Sequence, residues 1–167
     1  MNLEQAKLKY IQTWGSLATS WGINKTMAQV HALLLVSTEP LSAEDIMREL
    51  QISRGNVNMN VRALIDWGIA QKEYIVGERR EFFSAEKDVW ELFKQITKER
   101  KKREIEPVLK TLEDLKNIED ESEGFEEFKQ MMGDLLSVTN RVNGILESAI
   151  KADEHWLLSN FTKMIKK

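Results

Sequence analysis

Residues 41–83 read LSAEDIMREL QISRGNVNMN VRALIDWGIA QKEYIVGERR EFF, and this stretch decides the fold. Ser42 and Asp45 have the spacing of an S-x-x-D capping box, which predicts the start of a helix. Residues 51–52 form a tight turn, and Ser53 predicts the cap of a second helix. The stretch therefore predicts a helix-turn-helix.

The second predicted helix has an apolar face and is followed by a β-hairpin. The apolar side chains expected to be buried are Val57, Val61, Leu64 and Ile65. Gly68 is the glycine expected just beyond the end of the helix. Residues 69–75 and 80–83 then predict two strands, with a turn at Gly77-Glu78-Arg79-Arg80. The fold class is thus mostly α with a small β-hairpin wing, a winged helix-turn-helix with a helical dimerisation arm.

The opposite face of that helix is rich in asparagine and arginine, which are poor choices for helix propensity alone but match the edges of DNA bases. We expect it to read the major groove, and we expect arginines at the hairpin tip to contact phosphate or the minor groove. The predicted DNA-binding residues are Ser53, Arg54, Asn56, Asn58, Met59, Arg62, Arg79 and Arg80. Taken singly, each part is also compatible with a solvated helix face or an ordinary exposed turn.

Residues 10–93 resemble the MarR superfamily of bacterial transcriptional regulators, and most closely its GbsR-type branch. The resemblance rests on an early Trp14-Gly15 pair and on the run ISRGNVNMNVRALIDWG over residues 52–68. It implies a DNA-binding winged helix-turn-helix transcriptional regulator with a helical dimerisation region. In some members of this branch it also implies sensing of small solutes such as choline or betaine. Whether such a protein represses or activates is left open.

The rest of the chain predicts helices around this domain. Residues 3–21 predict a strongly apolar first helix, and Thr26 with Gln29 predicts the cap of a second. Ser84 predicts the cap of a helix after the wing, and Pro107 is expected to kink or restart that helix. Further predicted features are an acidic loop at 117–124, a long helix at 125–150 and a last helix at 153–166.

The apolar stripes of the first and last helices predict a homodimer, since they have no large partner surface within the sequence. Twofold symmetry would place two recognition helices about one DNA turn apart on a near-palindromic operator. The corresponding division is a dimerisation helix at 1–24, a winged DNA-binding domain at 25–97 and a helical dimerisation region at 98–167.

Composition excludes several classes of function. The 167 residues carry a net charge of −3 and contain no cysteine, which excludes disulfides, cysteine-ligated zinc and thiol redox sensing. No apolar run is long enough to cross a membrane and no signal-peptide core is present, so we expect a cytoplasmic protein. The two histidines, His31 and His155, are far apart, and we expect His31 to be a satisfied core residue. No catalytic motif, metal site or cofactor site is predicted, and an enzyme is not expected.

Five tryptophans are many for this length, and they offer a second hypothesis. A cage of aromatic faces would attract a quaternary ammonium by cation–π interaction, and the residues considered for such an effector site are Tyr10, Trp14, Trp21, Trp67 and Trp90. Core and interface packing explains the same residues and is the preferred interpretation.

The alternative function is a winged-helix protein-interaction module that does not bind DNA. It is favoured by the net negative charge and by the acidic residues around the loop at 117–124. The basic run at 98–103 is interpreted as a solvated helix face rather than a phosphate-binding strip.

Overall fold

The computed structural model describes residues 1–152, which contain seven α-helices, one π-helical segment and three short strands. They fall into two units, Met1–Leu92 and a second that begins at Phe93. The elements are α1 (Leu3–Ser20), α2 (Lys25–Val36), β1 (Leu41–Ser42), α3 (Ala43–Leu50), α4 (Arg54–Asp66), β2 (Ala70–Glu73), β3 (Phe82–Ala85), α5 (Val89–Arg100), the π-helical segment Lys101–Ile105, α6 (Glu106–Lys116) and α7 (Phe125–Lys151).

Helix α2 is the centre of the first unit. It packs against α1, α3, α4 and β3, and Val30, Ala32 and Leu34 are almost completely inaccessible to solvent. Removal of this apolar surface from water supplies the main force that assembles the unit. Ile46 of α3 and Leu64 of α4 are buried as well, so the two helices of the helix-turn-helix are anchored on one core.

The predicted helix-turn-helix is confirmed down to its caps. The Ser42 hydroxyl accepts from the Asp45 backbone N–H at 3.2 Å, and the Asp45 carboxylate accepts from the Ser42 N–H at 3.0 Å. Gln51 ends α3 with a left-handed backbone (φ +53°), which produces the tight turn, and Ser53 caps α4. These short-range bonds fix where each helix begins.

Helix α4 ends in the predicted glycine. Gly68 has φ +70°, and the N–H groups of Gly68 and Ile69 donate to the carbonyls of Ile65 and Leu64. This is a Schellman motif, which needs a left-handed residue and therefore favours glycine. The chain leaves it directly into β2.

The sheet is antiparallel and has three strands in the order β1-β3-β2, whereas the sequence predicted a two-stranded hairpin. The added strand β1 is only two residues long, with Leu41 opposite Phe83. The return strand lies at Phe82–Ala85 rather than 80–83, and the paired part of the outgoing strand is Ala70–Glu73. The wing loop is longer than predicted because pairing stops at Glu73 and Phe82.

Two predicted helix caps are wrong. Helix α2 is capped by Asn24, whose side-chain oxygen accepts from the Met27 N–H at 3.0 Å, and not by Thr26. Ser84 lies in β3, where its hydroxyl donates to the Glu73 carboxylate at 2.7 Å. The following helix is instead started by Asp88, which accepts from the N–H of Trp90 at 2.8 Å. Strand β3 continues through Ala85 and the helix begins only at Val89, so Ser84 lies too far from the first turn of that helix to cap it.

The second unit contains the predicted restart at Pro107. The proline lies in the first turn of α6, where its missing N–H costs least, and it follows the π-helical segment Lys101–Ile105. Helices α6 and α7 pack on each other, and both contribute a buried leucine, Leu112 and Leu136. The predicted helix at 153–166 lies outside the described residues. The division at residues 24 and 97 stays a prediction.

No helix within residues 1–152 is long and apolar enough to cross a membrane.

Candidate nucleic-acid interface

Helix α4 is the core of the candidate site, and its buried face sets its orientation. Val57, Val61 and Leu64 are at most 2% exposed, and they dock the helix onto the first unit. Ile65, predicted to be buried with them, is half-buried. Asn60 belongs to the inner face as well, since it is only 3% exposed and its side-chain amide donates to the Asn56 carbonyl at 2.8 Å. Of the three asparagines in the helix, only Asn56 and Asn58 are therefore outward.

The outward face of α4 brings together the predicted major-groove residues. Arg54, Asn56, Asn58, Met59 and Arg62 are all exposed, while Ser53 is exposed and caps the helix by accepting from the Asn56 N–H at 3.3 Å. Met59 is 57% exposed in the middle of the helix, which is unusual for an apolar side chain. Forked donors and acceptors beside an apolar contact are the chemistry that reads base edges and the thymine methyl group.

Arg54 and Arg62 differ in their partners. The Arg54 guanidinium donates from Nη2 to Glu44 Oε1 of α3 at 2.8 Å, so an ion pair joins the two helices of the motif. Arg62 has no carboxylate within 4 Å among residues 1–152. Glu44 could not be predicted as the partner of Arg54, because the two residues are ten positions apart and no local spacing rule links them.

The wing carries Arg79 and Arg80, both exposed, after the turn at Gly77 (φ +88°). Arg80 donates to the Glu78 carboxylate from Nε and Nη2, both at 3.2 Å, and its guanidinium lies 5.4 Å from the centre of the Phe82 ring. Of the two wing arginines, Arg80 is therefore paired with a carboxylate, and Arg79 has no ion-pair partner among residues 1–152.

The predicted aromatic residues occupy different environments. Tyr10 and Trp14 stack within α1, with ring centroids 5.7 Å apart, while Trp21 is exposed just after that helix. Trp67 is buried beside the end of α4, and Trp90 is half-buried near the start of α5. A cavity of about 400 Å³ in the first unit has other lining residues, among them Leu8, Ile11, Leu33, Val36 and Asp45.

His31 is buried in α2, as predicted, but it is not fully satisfied. Its Nε2 has no hydrogen-bond partner among the described residues. Burial, with a smaller contribution from the Lys87 ammonium, lowers the pKa of His31 to about 4. Lys87 itself donates to the carbonyls of Leu34, Leu35 and Ser37 at 2.6–2.9 Å, so it caps the carboxyl end of α2. Among residues 1–152, no group of three or more acidic or histidine ligands has metal-site geometry.

These features define a winged helix-turn-helix protein with a polar, partly cationic recognition face. Residues 21–81 match the family model described as MarR family. The winged domain of this chain is therefore similar to the MarR family, as the sequence resemblance predicted.

Two bacterial transcriptional regulators are similar to this chain in sequence. The chain is 22% identical over 91 residues to the putative HTH-type transcriptional regulator YvaV of Bacillus subtilis (strain 168), which covers 54% of this chain and 51% of YvaV. It is 23% identical over 112 residues to the HTH-type transcriptional repressor GbsR of the same organism, covering 67% of this chain and 62% of GbsR. The matches span about half to three-fifths of those relatives, and the predicted likeness to the GbsR-type branch is confirmed.

A solved structure supports the fold. The crystal structure of a transcriptional regulator has a TM-score of 0.66 and 16% sequence identity to this chain. The match covers 87% of this chain and 95% of the other. The likeness therefore extends beyond the winged domain into the helices of the second unit.

Proposed function

We propose that this protein is a sequence-specific DNA-binding transcriptional regulator. The observation that carries the proposal is the outward face of α4, where Asn56, Asn58, Met59 and Arg62 are exposed while Val57 is completely buried. Because the core-facing side of α4 is fully packed, the helix holds its outward side chains on a rigid scaffold. The names of the relatives YvaV and GbsR, both transcriptional regulators, support the same class.

The residue chemistry suggests a division of roles within this surface. We assign Arg62 to a bidentate contact with a guanine and Asn58 to an adenine, the pairings that their side-chain geometry favours. Met59 would contact a thymine methyl group. Arg79 and Arg80 would contact phosphate or a narrow minor groove beside the helix. The acting form would be in the cytoplasm, where such a regulator meets DNA.

We propose that the protein acts as a homodimer, as a near-palindromic operator would require. Helix α7 carries an exposed apolar stripe whose members are spaced alternately by four and three residues: Met131, Leu135, Val138, Val142 and Ile145. This 3.5-residue average period is typical of a helix seam that packs against another helix. Exposed apolar residues of α1, such as Leu8 and Leu17, add to the surface that a second copy could cover.

A small-molecule effector remains part of the proposal, with Tyr10 and Trp14 its best-supported aromatic contacts because their rings stack side by side. We propose core packing rather than ligand contact for Trp67, which is already buried. Titration of intrinsic tryptophan fluorescence with choline and with betaine tests this part. A saturable change that is lost in Trp14→Phe is expected, and a flat response to both solutes would contradict the aromatic site.

Selection of duplexes from a random library tests the function itself. The purified protein is expected to enrich an inverted repeat whose half-site centres lie about 10 base pairs apart, the separation that twofold symmetry demands. The control is the same selection with Asn58 and Arg62 both changed to alanine, which should enrich nothing. If the unmodified protein also enriches no motif, the protein-interaction module becomes the better account.

A further inference from the structure

Two of the four arginines of the candidate DNA surface, Arg54 and Arg80, are paired with carboxylates of the same surface. Arg54 of α4 lies 2.8 Å from Glu44, and Arg80 of the wing lies 3.2 Å from Glu78. Each pair is solvent-exposed, with the Arg54 and Arg80 side chains 65% and 52% accessible. The Glu44 and Glu78 side chains are accessible as well, at 43% and 41%, so they are not buried structural partners.

The Arg54–Glu44 pair leaves hydrogen-bond donors of Arg54 free. Only Nη2 of Arg54 is bound, so the Nη1 and Nε donors remain for a base or a phosphate. The pair connects the first turn of α3 to the first residue of α4, which limits the conformations of a long side chain. Restricting its freedom before binding reduces the entropy lost when DNA is bound.

The Arg80–Glu78 pair has the same character in the wing. Glu78 accepts from both Nε and Nη2, and Phe82 lies beneath the guanidinium, so the side chain is held from two sides. A third pair, between Lys72 and Glu81 at 2.6 Å, offsets the charge of the strand that leads into the wing. In contrast, Arg62 and Arg79 carry no such partner among residues 1–152.

Charge pairing of this kind weakens binding to arbitrary DNA. Non-specific affinity comes from cations that neutralise phosphates and release counterions, and a cation already paired with a carboxylate releases fewer. A phosphate must displace or tolerate the carboxylate, whereas a correctly placed base can use the donors that remain free. Positioning and charge cancellation therefore both raise the ratio of specific to non-specific binding.

We propose that Glu44 and Glu78 are specificity-determining residues, which hold Arg54 and Arg80 in place and suppress binding to non-cognate duplex DNA. This inference rests on the proposed function. It assigns to two acidic side chains a role in DNA recognition, although neither carries a donor that could bind a phosphate.

Single substitutions Glu44→Gln and Glu78→Gln test the proposal with minimal change of shape. Affinity is measured by fluorescence anisotropy against the selected duplex and against a shuffled duplex, at several salt concentrations. Each variant should bind the shuffled duplex roughly three- to tenfold more tightly near 0.1 M salt, with a salt slope steeper by up to about one. The ratio of the two affinities should fall. Glu4→Gln is the matched control, because it removes the same charge from a carboxylate that pairs with Lys7 in α1.

The outcomes separate the inference from the function on which it rests. Failure of the unmodified protein to bind either duplex would overturn both. If the unmodified protein discriminates between the duplexes while Glu44→Gln and Glu78→Gln behave like Glu4→Gln, the inference alone is overturned. Thermal unfolding of each variant excludes loss of fold, and Glu78, in a loop without a helix cap, remains a valid probe if Glu44→Gln destabilises α3.

Discussion

Arg62 is the residue on which base recognition should depend most. It is exposed on α4, beside Met59, and no carboxylate within residues 1–152 competes for its guanidinium. We expect Arg62→Ala to lose about 1–3 kcal/mol of binding free energy for the selected duplex, because a bidentate contact to a base is lost. Arg62→Lys keeps the positive charge but loses the planar guanidinium that makes a bidentate contact. It should therefore restore the non-specific part of the binding free energy, which shuffled DNA shares, but not the preference for the selected duplex. Unchanged anisotropy affinity in Arg62→Ala would remove this residue from the recognition surface.

His31 should make the fold sensitive to acid. Its folded-state pKa, about 4, lies below the ordinary 6.5, so the unfolded chain takes up the proton more readily. The contribution of neutral His31 to the free energy of unfolding is therefore fully present above pH 6.5 and is lost as the pH falls toward 4. At pH 5 the loss is about 2 kcal/mol. Urea unfolding at pH 7 and pH 5 measures this loss.

The control for this pH dependence is His31→Gln, which removes the titrating group. In this variant the free energy of unfolding should change little between pH 7 and pH 5, whatever the effect of the substitution on absolute stability. The lowered pKa of Asp45, caused mainly by its hydrogen bond with Ser42, gives stability that is lost only below its ordinary value of 3.8. Asp45 therefore does not contribute to this window. Equal pH dependence in the variant and the unmodified protein would contradict the assignment to His31.

The arginines of the wing should contribute mainly to affinity for any duplex, an affinity that the pairing of Arg80 with Glu78 limits. Arg79 and Arg80 are exposed on a loop, which suits contacts to the DNA backbone. Replacing both with alanine should weaken binding to every duplex and reduce the salt slope by up to about two, one for each lost phosphate contact. Replacing Lys110 and Lys116 of α6 removes the same total charge and is the control. A salt slope that is unaltered in the wing variant would mean that the wing does not contact the backbone.

The helix-turn-helix was predictable because its signals are local. The Ser42–Asp45 box, the Ser53 cap and Gly68 each act within about five residues, so the sequence carries them without knowledge of the fold. The outward residues of α4 followed from helical period alone. Asn60 did not, because whether an asparagine at that position is buried depends on what packs against the helix.

The elements that were missed depend on distant partners. Strand β1 exists because Leu41 and Ser42 meet Phe83 and Phe82, forty residues later in the chain. Pairing in the same sheet keeps the chain in β3 through Ala85, so the next helix begins only after Asp88. The Arg54–Glu44 ion pair likewise depends on the angle between two helices, which no short sequence pattern encodes.

At the scale of the whole molecule, a net charge of −3 is compatible with DNA binding only if charge is unevenly distributed. The loop at 117–124 and the first turn of α7 concentrate acidic residues, while Arg62 and Arg79 of the candidate interface are unpaired within residues 1–152. With so few uncompensated cations, one chain should bind weakly. Useful affinity then requires two recognition helices on one duplex.

Assembly should therefore depend on the exposed stripe of α7. Val138 is 59% exposed, so Val138→Glu should leave the fold of a single chain intact but place a charge in the proposed dimer interface. Light scattering should give twice the 19.4 kDa chain mass for the unmodified protein and the single mass for the variant. Asn140→Glu, an exposed polar position of the same helix, is the control and should stay dimeric. If Val138→Glu still has the mass of a dimer, the dimer interface does not include this stripe.

The most direct test of the central claim is fluorescence anisotropy of the unmodified protein with the DNA upstream of its own gene, in competition with a shuffled duplex at several salt concentrations. We predict tight binding that resists the competitor and weakens steeply with salt. Equal affinity for the two duplexes, or binding to neither at low salt, would contradict the claim that α4 reads DNA sequence.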